Sequence, residues 1–204
     1  MSNLYEACHA AGGMTAYEWE RDPKRLAFIL SRYKFVAKMF TGYQRVIEIG
    51  CADGFGTRLV RQAANSMYAI DNDRKSIEQA RDNNAGSRWD VDFDCVDFLD
   101  MPCAGDGIYA LDVIEHIDPV ASGNFLYKMS RSAPVAIIGT PSLESQAHAS
   151  KLSKQGHINC YTGERLRSEC LLQWRNVFMF SMNDEVLHTG FFPMSQYLFA
   201  LYIR

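Results

Sequence analysis

The chain has 204 residues, 48% of them apolar, which suffices for one sizeable core and is short for two domains. Its formal net charge of −3 disfavours a nucleic-acid partner, because nothing suggests a surface built to neutralise a phosphate backbone. Six cysteines without a CxxC pair fit a reduced, cytoplasmic chain, and neither a signal peptide nor an apolar run near eighteen residues is present, so no membrane insertion is expected.

Residues 1–22 lack a regular pattern, with Gly12-Gly13 breaking any helix and Tyr5, Tyr17 and Trp19 scattered through them. They read as an N-terminal arm or lid. Pro23 suits the first turn of a helix with Asp22 as its cap, and Leu26, Ile29, Leu30, Tyr33, Val36, Ala37 and Phe40 recur at helical spacing. Short apolar strands then alternate with helical segments. The strands are expected at 46–49, 67–70, 92–96, 108–112 and 135–139, and the helices at about 56–64, 73–83 and 119–131. This alternation predicts right-handed βαβ units and a mostly parallel sheet. Residues 141–160 form a long polar excursion, and a segment of that length usually carries function. A helix from about 163 to 174 and two strand-like runs, "NVFMFSMND" and "MSQYLFALYIR", complete one α/β domain over 1–204.

The stretch "VIEIGCADGFG" runs from the first strand into a glycine turn, where doubly wound sheets bind ligands. A dinucleotide fingerprint starting at Gly50 would need glycines at 52 and 55, but Ala52 and Phe55 stand there. The glycines are Gly50, Gly54 and Gly56, with Glu48 at the strand end and Asp53 in the loop, carboxylates suited to a ligand with a cationic part. Asp71 ends the second strand, where an acid accepts hydrogen bonds from ribose hydroxyls. Asp97 and Phe98 follow the third strand and suit the amino edge and face of an adenine, a role that Asp94 or Asp100 could share. Asp112 ends the fourth strand, with Glu115 and His116 just beyond.

The series "VIEIGCADGFGT", "AIDND", "DCVDFLD", "ALDVIEHI" and "VAIIGTPS" resembles the class I S-adenosylmethionine-dependent methyltransferases over roughly residues 25–204. Ala52 departs from the middle glycine of their first motif. The resemblance implies a Rossmann-like, doubly wound, seven-stranded, mostly parallel sheet with helices on both faces and a C-terminal antiparallel hairpin. It also implies S-adenosylmethionine as cofactor, held by Glu48, Gly50, Asp53, Gly54, Asp71, Asn72, Asp97, Phe98 and Asp112. The stretches "DPKRLAFILSRYKFVAKMF", "GHINCYTGERL" and "FSMNDEVLHTGF" look like small methyltransferases found with bacterial surface-polysaccharide or sugar-modification genes.

Methyl transfer from a sulfonium is an in-line displacement, so much of the catalysis is positioning, but a hydroxyl acceptor gains from a base or a metal ion. His116 and His157, the latter on the excursion, are the candidate bases. Asp112, Glu115, His116 and His157 also resemble the divalent-metal set of small-RNA 2′-O-methyltransferases and of ubiquinone-pathway O-methyltransferases. A histidine is as often a hydrogen-bonded structural group, and Glu115 could cap a helix or join a surface pair. Cys51 reads as a small packing residue. Asn183, Asp184, Glu185, His188 and Thr189 either recognise a hydroxylated substrate or form a solvated turn.

The expected function is O-methylation of a small-molecule hydroxyl such as a sugar or sugar nucleotide. The alternatives are N-methylation, metal-assisted 2′-O-methylation of RNA, or a non-catalytic cofactor-binding subunit. Oligomeric state is not legible.

Overall fold

The structure is a computed structural model that describes residues 12–204. Tyr5 and Cys8 lie outside the described residues. Strands β1 (Val46–Ile49), β2 (Met67–Asp71), β3 (Asp92–Cys95), β4 (Gly107–Leu111) and β5 (Val135–Pro141) pair in parallel. Three more, β6 (Asn176–Asn183), β7 (Val186–Thr189) and β8 (Tyr197–Ile203), complete a mixed sheet of order β3-β2-β1-β4-β5-β8-β6-β7. β8 inserts antiparallel between β5 and β6. The strand order reverses at β1, flanked by β2 and β4, and this places the cleft at the carboxyl ends of those strands.

The sheet has eight strands where seven were expected. The polar run after Asn183 turns at Asp184 (φ +50°), and Val186–Thr189 pairs with β6 as an edge strand. Its side chains are exposed or half-buried, so no apolar alternation announced it. The N-terminal region also differs from expectation. Gly12 caps helix α1 (Gly13–Arg21), so the glycine pair starts a helix instead of breaking one. Helix α2 (Pro23–Met39) begins at the proline, but the Asp22 side chain makes no capping hydrogen bond.

Side chains alternate across the sheet and form two cores. Ile47, Ile108, Ala110, Ile138 and Ala200 meet α5 (Ser122–Ser132) and α7 (Gly163–Leu171) on one face through Phe125, Met129 and Leu166. Val46, Tyr109, Ile137 and Phe199 meet α2, α3 (Thr57–Arg61) and α4 (Arg74–Asn84) on the other through Val36, Val60 and Ile77. The excursion 141–160 holds a one-turn helix at Glu144–His148 and the short helix α6 (Lys151–Gly156), capped by the Ser150 hydroxyl. Among the described residues the five cysteines are unpaired, and no helix is long and apolar enough to cross a membrane.

Candidate active site

A cavity of about 1690 Å³ opens at the carboxyl ends of β1, β2 and β4, with α1 and the excursion contributing to its rim. It exceeds the roughly 300–1,000 Å³ of a single small-ligand pocket, leaving room for a cofactor and an acceptor. Its floor is the turn after β1. Gly50 sits at φ +75°, and a Cβ there would meet Val113 Cγ2 at 2.4 Å, so only glycine fits both the backbone and the neighbour. Ala52 adopts the glycine conformation as well, at φ +47°.

Asp71 lines the cavity, and its two oxygens each accept a backbone N–H at 2.9 Å, from Ala52 and Asp73. A carboxylate has about four lone-pair sites, so acceptor capacity remains for a ribose. Of the three neighbouring acids, Asp97 lines the cavity beside Phe98, while Asp94 turns to Arg81 and to the Tyr68 hydroxyl. Phe98 packs edge-on against Phe125, with ring centroids 5.4 Å apart, and Val96, Leu99 and Ile70 make this end apolar. Gly50, Asn72 and Asp112 line the cavity too. Two acids, an apolar stretch beside Phe98 and a glycine floor make a lining that fits S-adenosylmethionine.

Three residues expected at the cofactor do not reach the cavity lining. Glu48 lies on the α2 face of β1, 1% exposed, and accepts the Tyr33 hydroxyl at 2.8 Å. Asp53 is also buried, accepting from the Thr15 N–H at 2.9 Å and its hydroxyl at 3.1 Å, which clasps α1 onto the loop. Gly54 packs against Phe93. Strand alternation explains Glu48, since neighbouring positions point to opposite faces. Cys51 is 2% exposed and burial pushes its thiol up, in keeping with a packing role.

Burial raises the Glu48 carboxyl from 4.5 to about 7. A carboxyl raised in the folded state contributes stability that is complete below its unfolded value and lost as pH rises through about 7. Glu48→Gln keeps an acceptor for Tyr33. The variant should therefore match the parent near pH 5 and exceed it near pH 8, by about 1–3 kcal/mol, in thermal melts at the two pH values. A gap independent of pH would show that Glu48 does not titrate in this window.

Asp112 was expected among metal ligands, and the structure assigns it elsewhere. At φ +54° its side chain turns to Arg32, whose Nη1 donates to both carboxylate oxygens at 3.0 Å. Arg32 stacks on Tyr197, 3.8 Å from the ring centroid, and the Tyr197 hydroxyl donates to Asp112. Burial works against the Arg32 charge, but Asp112 and Tyr197 outweigh it and hold the guanidinium protonated. Arg32 was missed in the sequence. The signal was a cation on the helix face of Arg25, Ile29 and Val36, spaced three and four apart; Arg25, Ile29 and Arg32 all line the cavity.

The other three expected ligands converge. One ligand atom each from Glu115, His116 and His157 lies within 4.8 Å of the others. Glu115 is 1% exposed, far from the surface role considered for it; Thr140 donates to its Oε2 at 2.9 Å, and its Oε1 is buried without a partner. Burial first, and then the Asp112 charge, push its carboxyl well above the usual range. The "GHINCYTGERL" stretch holds this cluster in place. Its Asn159 N–H donates to the Glu115 carbonyl at 3.0 Å, and Arg165 fixes the Asn159 side chain at 2.7 Å and pairs with Glu169 at 2.8 Å. Asn183, Asp184, Glu185, His188 and Thr189 are not in the cavity lining, to which that region contributes Pro193, Met194 and Gln196. Tyr17 lines the cavity, whereas Trp19 is 61% exposed.

Residues 46–133 match a family model described as a methyltransferase domain. The fold is similar to the methyltransferase domain of a bacterial Hen1 (TM-score 0.71, 16% identity, covering 86% of this chain and 98% of that one). It is also similar to the small RNA methyltransferase HEN1 (TM-score 0.68, 16% identity, 85% of this chain and 25% of that one). A third likeness is to the N-methyltransferase NodS from Bradyrhizobium japonicum WM9 in complex with S-adenosyl-L-homocysteine (TM-score 0.59, 16% identity, 91% and 87%). No curated protein sequence matches the chain. The matched domain lies at the centre of a fold shared with these methyltransferases, and with a cavity that fits the methyl donor this supports S-adenosylmethionine-dependent methyl transfer.

Proposed function

We propose that the protein methylates a hydroxyl oxygen of a small, uncharged, polyhydroxylated acceptor, such as a sugar, with the help of a divalent ion held by Glu115, His116 and His157. The observation that carries this reading is the cluster itself. A buried carboxylate with an orphaned oxygen beside two imidazoles is a mixed oxygen and nitrogen donor set, suited to Mg, Mn, Fe or Zn. An ion there would supply the positive charge that makes a neighbouring hydroxyl easier to deprotonate.

The chain's own groups do the rest. Asp71 takes the ribose hydroxyls, and Asp97 with Phe98 frames the adenine. Arg32 and Asp112, already paired, meet the carboxylate and ammonium of the methionine end. With the ion bound both imidazoles are engaged as its ligands, whereas without it His116 or His157 would take the acceptor proton; α1, clasped by Asp53, shields the site from water. The excursion lines the cavity with Ser145, Gln146, Ser150, Ser153 and Gln155, beside Glu144 and His148, and these polar groups suit hydroxyl groups. The resemblance to methyltransferases found with sugar-modification genes supports the same acceptor class.

A second reading, 2′-O-methylation of RNA, is favoured by the likeness to HEN1 domains. The charges speak against it. Glu18, Asp71, Asp97, Asp112 and Glu144 line the cavity against two arginines, Arg25 and Arg32, and this repels a polyanion. The test is methyl transfer from labelled donor to a panel of sugars, sugar nucleotides, amines and short RNAs, with and without chelator. Transfer to a sugar hydroxyl that stops in chelator and returns with a divalent ion is expected. Transfer unaffected by chelator removes the metal centre, and transfer to RNA alone replaces the acceptor class.

A further inference from the structure

Each imidazole of the cluster is seated from outside by one stretch of chain. His116 Nδ1 lies 2.9 Å from the carbonyl oxygen of Gly156, and His157 Nδ1 lies 3.1 Å from Oε1 of Gln146. A carbonyl oxygen only accepts, so a neutral ring in either place carries its proton on Nδ1 and keeps a lone pair on Nε2. The ring centroids are 5.1 Å apart at 74°. The Gly156 fit is tight, since a Cβ there would sit 3.2 Å from His116 Cε1. Residues 143–158 contribute no described buried side chain. Polar contacts, more than apolar packing, therefore hold this wall of the cavity.

We propose that Gln146 is a positioning residue of the cluster: with the Gly156 carbonyl it fixes both imidazoles as Nδ1–H tautomers, so that both offer Nε2 to a divalent ion beside Glu115. The inference rests on the metal-centre reading above. It goes further by assigning a task to a residue of the excursion that also lines the acceptor end. Outer hydrogen-bond partners of this kind orient a ligand imidazole and raise its basicity, and their loss typically costs about 10–100-fold in metal affinity. The proposal also makes the excursion's position depend on the ion, because Gln146, Gly156 and His157 belong to it.

Two measurements on the full chain test this. Long-range ¹⁵N correlation of the metal-free protein should show His157 as the Nδ1–H tautomer in the parent and in Gln146→Glu, whose carboxylate is an obligate acceptor. In Gln146→Leu it should move toward Nε2–H. Titration with Co²⁺, read by absorption, should be about 10–100-fold weaker for Gln146→Leu and at least as tight as the parent for Gln146→Glu. An Nε2–H tautomer in the parent, or equal Co²⁺ affinity in Gln146→Leu, overturns the proposal. If the parent binds no Co²⁺ while the tautomers behave as stated, the metal centre alone fails and Gln146 still stands as the group that sets His157.

Discussion

Asp71→Ala is expected to weaken the binding of S-adenosylmethionine and S-adenosylhomocysteine by more than about 100-fold in calorimetric titration. Two losses combine. Hydrogen bonds to a charged group contribute about 1.5–3 kcal/mol each, and a ribose offers two hydroxyls to this carboxylate. The same substitution also strands the N–H groups of Ala52 and Asp73, so the glycine loop and the start of α4 lose their shared anchor. Both ligands should suffer alike, because they share the ribose and differ at the sulfur. A dissociation constant within about fivefold of the parent, well short of the 1.4 kcal/mol that a tenfold change represents, would place the ribose elsewhere.

The second large effect is expected at Glu115. Glu115→Gln conserves shape and keeps an acceptor for Thr140, but removes the one carboxylate of the cluster. The turnover of a hydroxyl acceptor should fall by about 10²–10⁴-fold, the usual worth of activating a poor nucleophile. Cofactor affinity should stay within about twofold, because Glu115 is not in the cavity lining while the cofactor residues are. Rapid-quench turnover beside calorimetry separates the two quantities. An unchanged rate would return the cluster to a structural role, with Glu115 a buried carboxyl kept neutral by its surroundings.

Much of this architecture was legible because it rests on local pattern. Four of the five parallel strands are short apolar runs, β3 being the mixed DFDC, and the strand bounds differ from the reading by at most two residues. What the sequence concealed depends on tertiary context. The direction of Glu48 is fixed by sheet alternation against α2, and a carboxylate in a motif cannot announce whether it faces a ligand or a tyrosine. Asp112 left the expected ligand set because its left-handed backbone turned it to Arg32, a residue 80 positions away. β7 was hidden because an edge strand exposed on both faces has no apolar periodicity to show. The cluster of Glu115, His116 and His157 was the reverse case: the resemblance suggested its members, and only the meeting of the end of α6 with His116 brought them together.

The substitution in the glycine loop has a consequence for the free protein. A non-glycine residue in the left-handed region costs roughly 1–2 kcal/mol, and Ala52 remains there because its N–H is held by Asp71. Alanine also narrows the conformations that this loop samples when the chain is unfolded, which a glycine would not do. The entropy of ordering the turn is thus settled during folding and not at the moment of ligand capture. At this one position, between the flexible Gly50 and Gly54, the donor meets less of the ordering cost that a glycine would leave to the moment of capture.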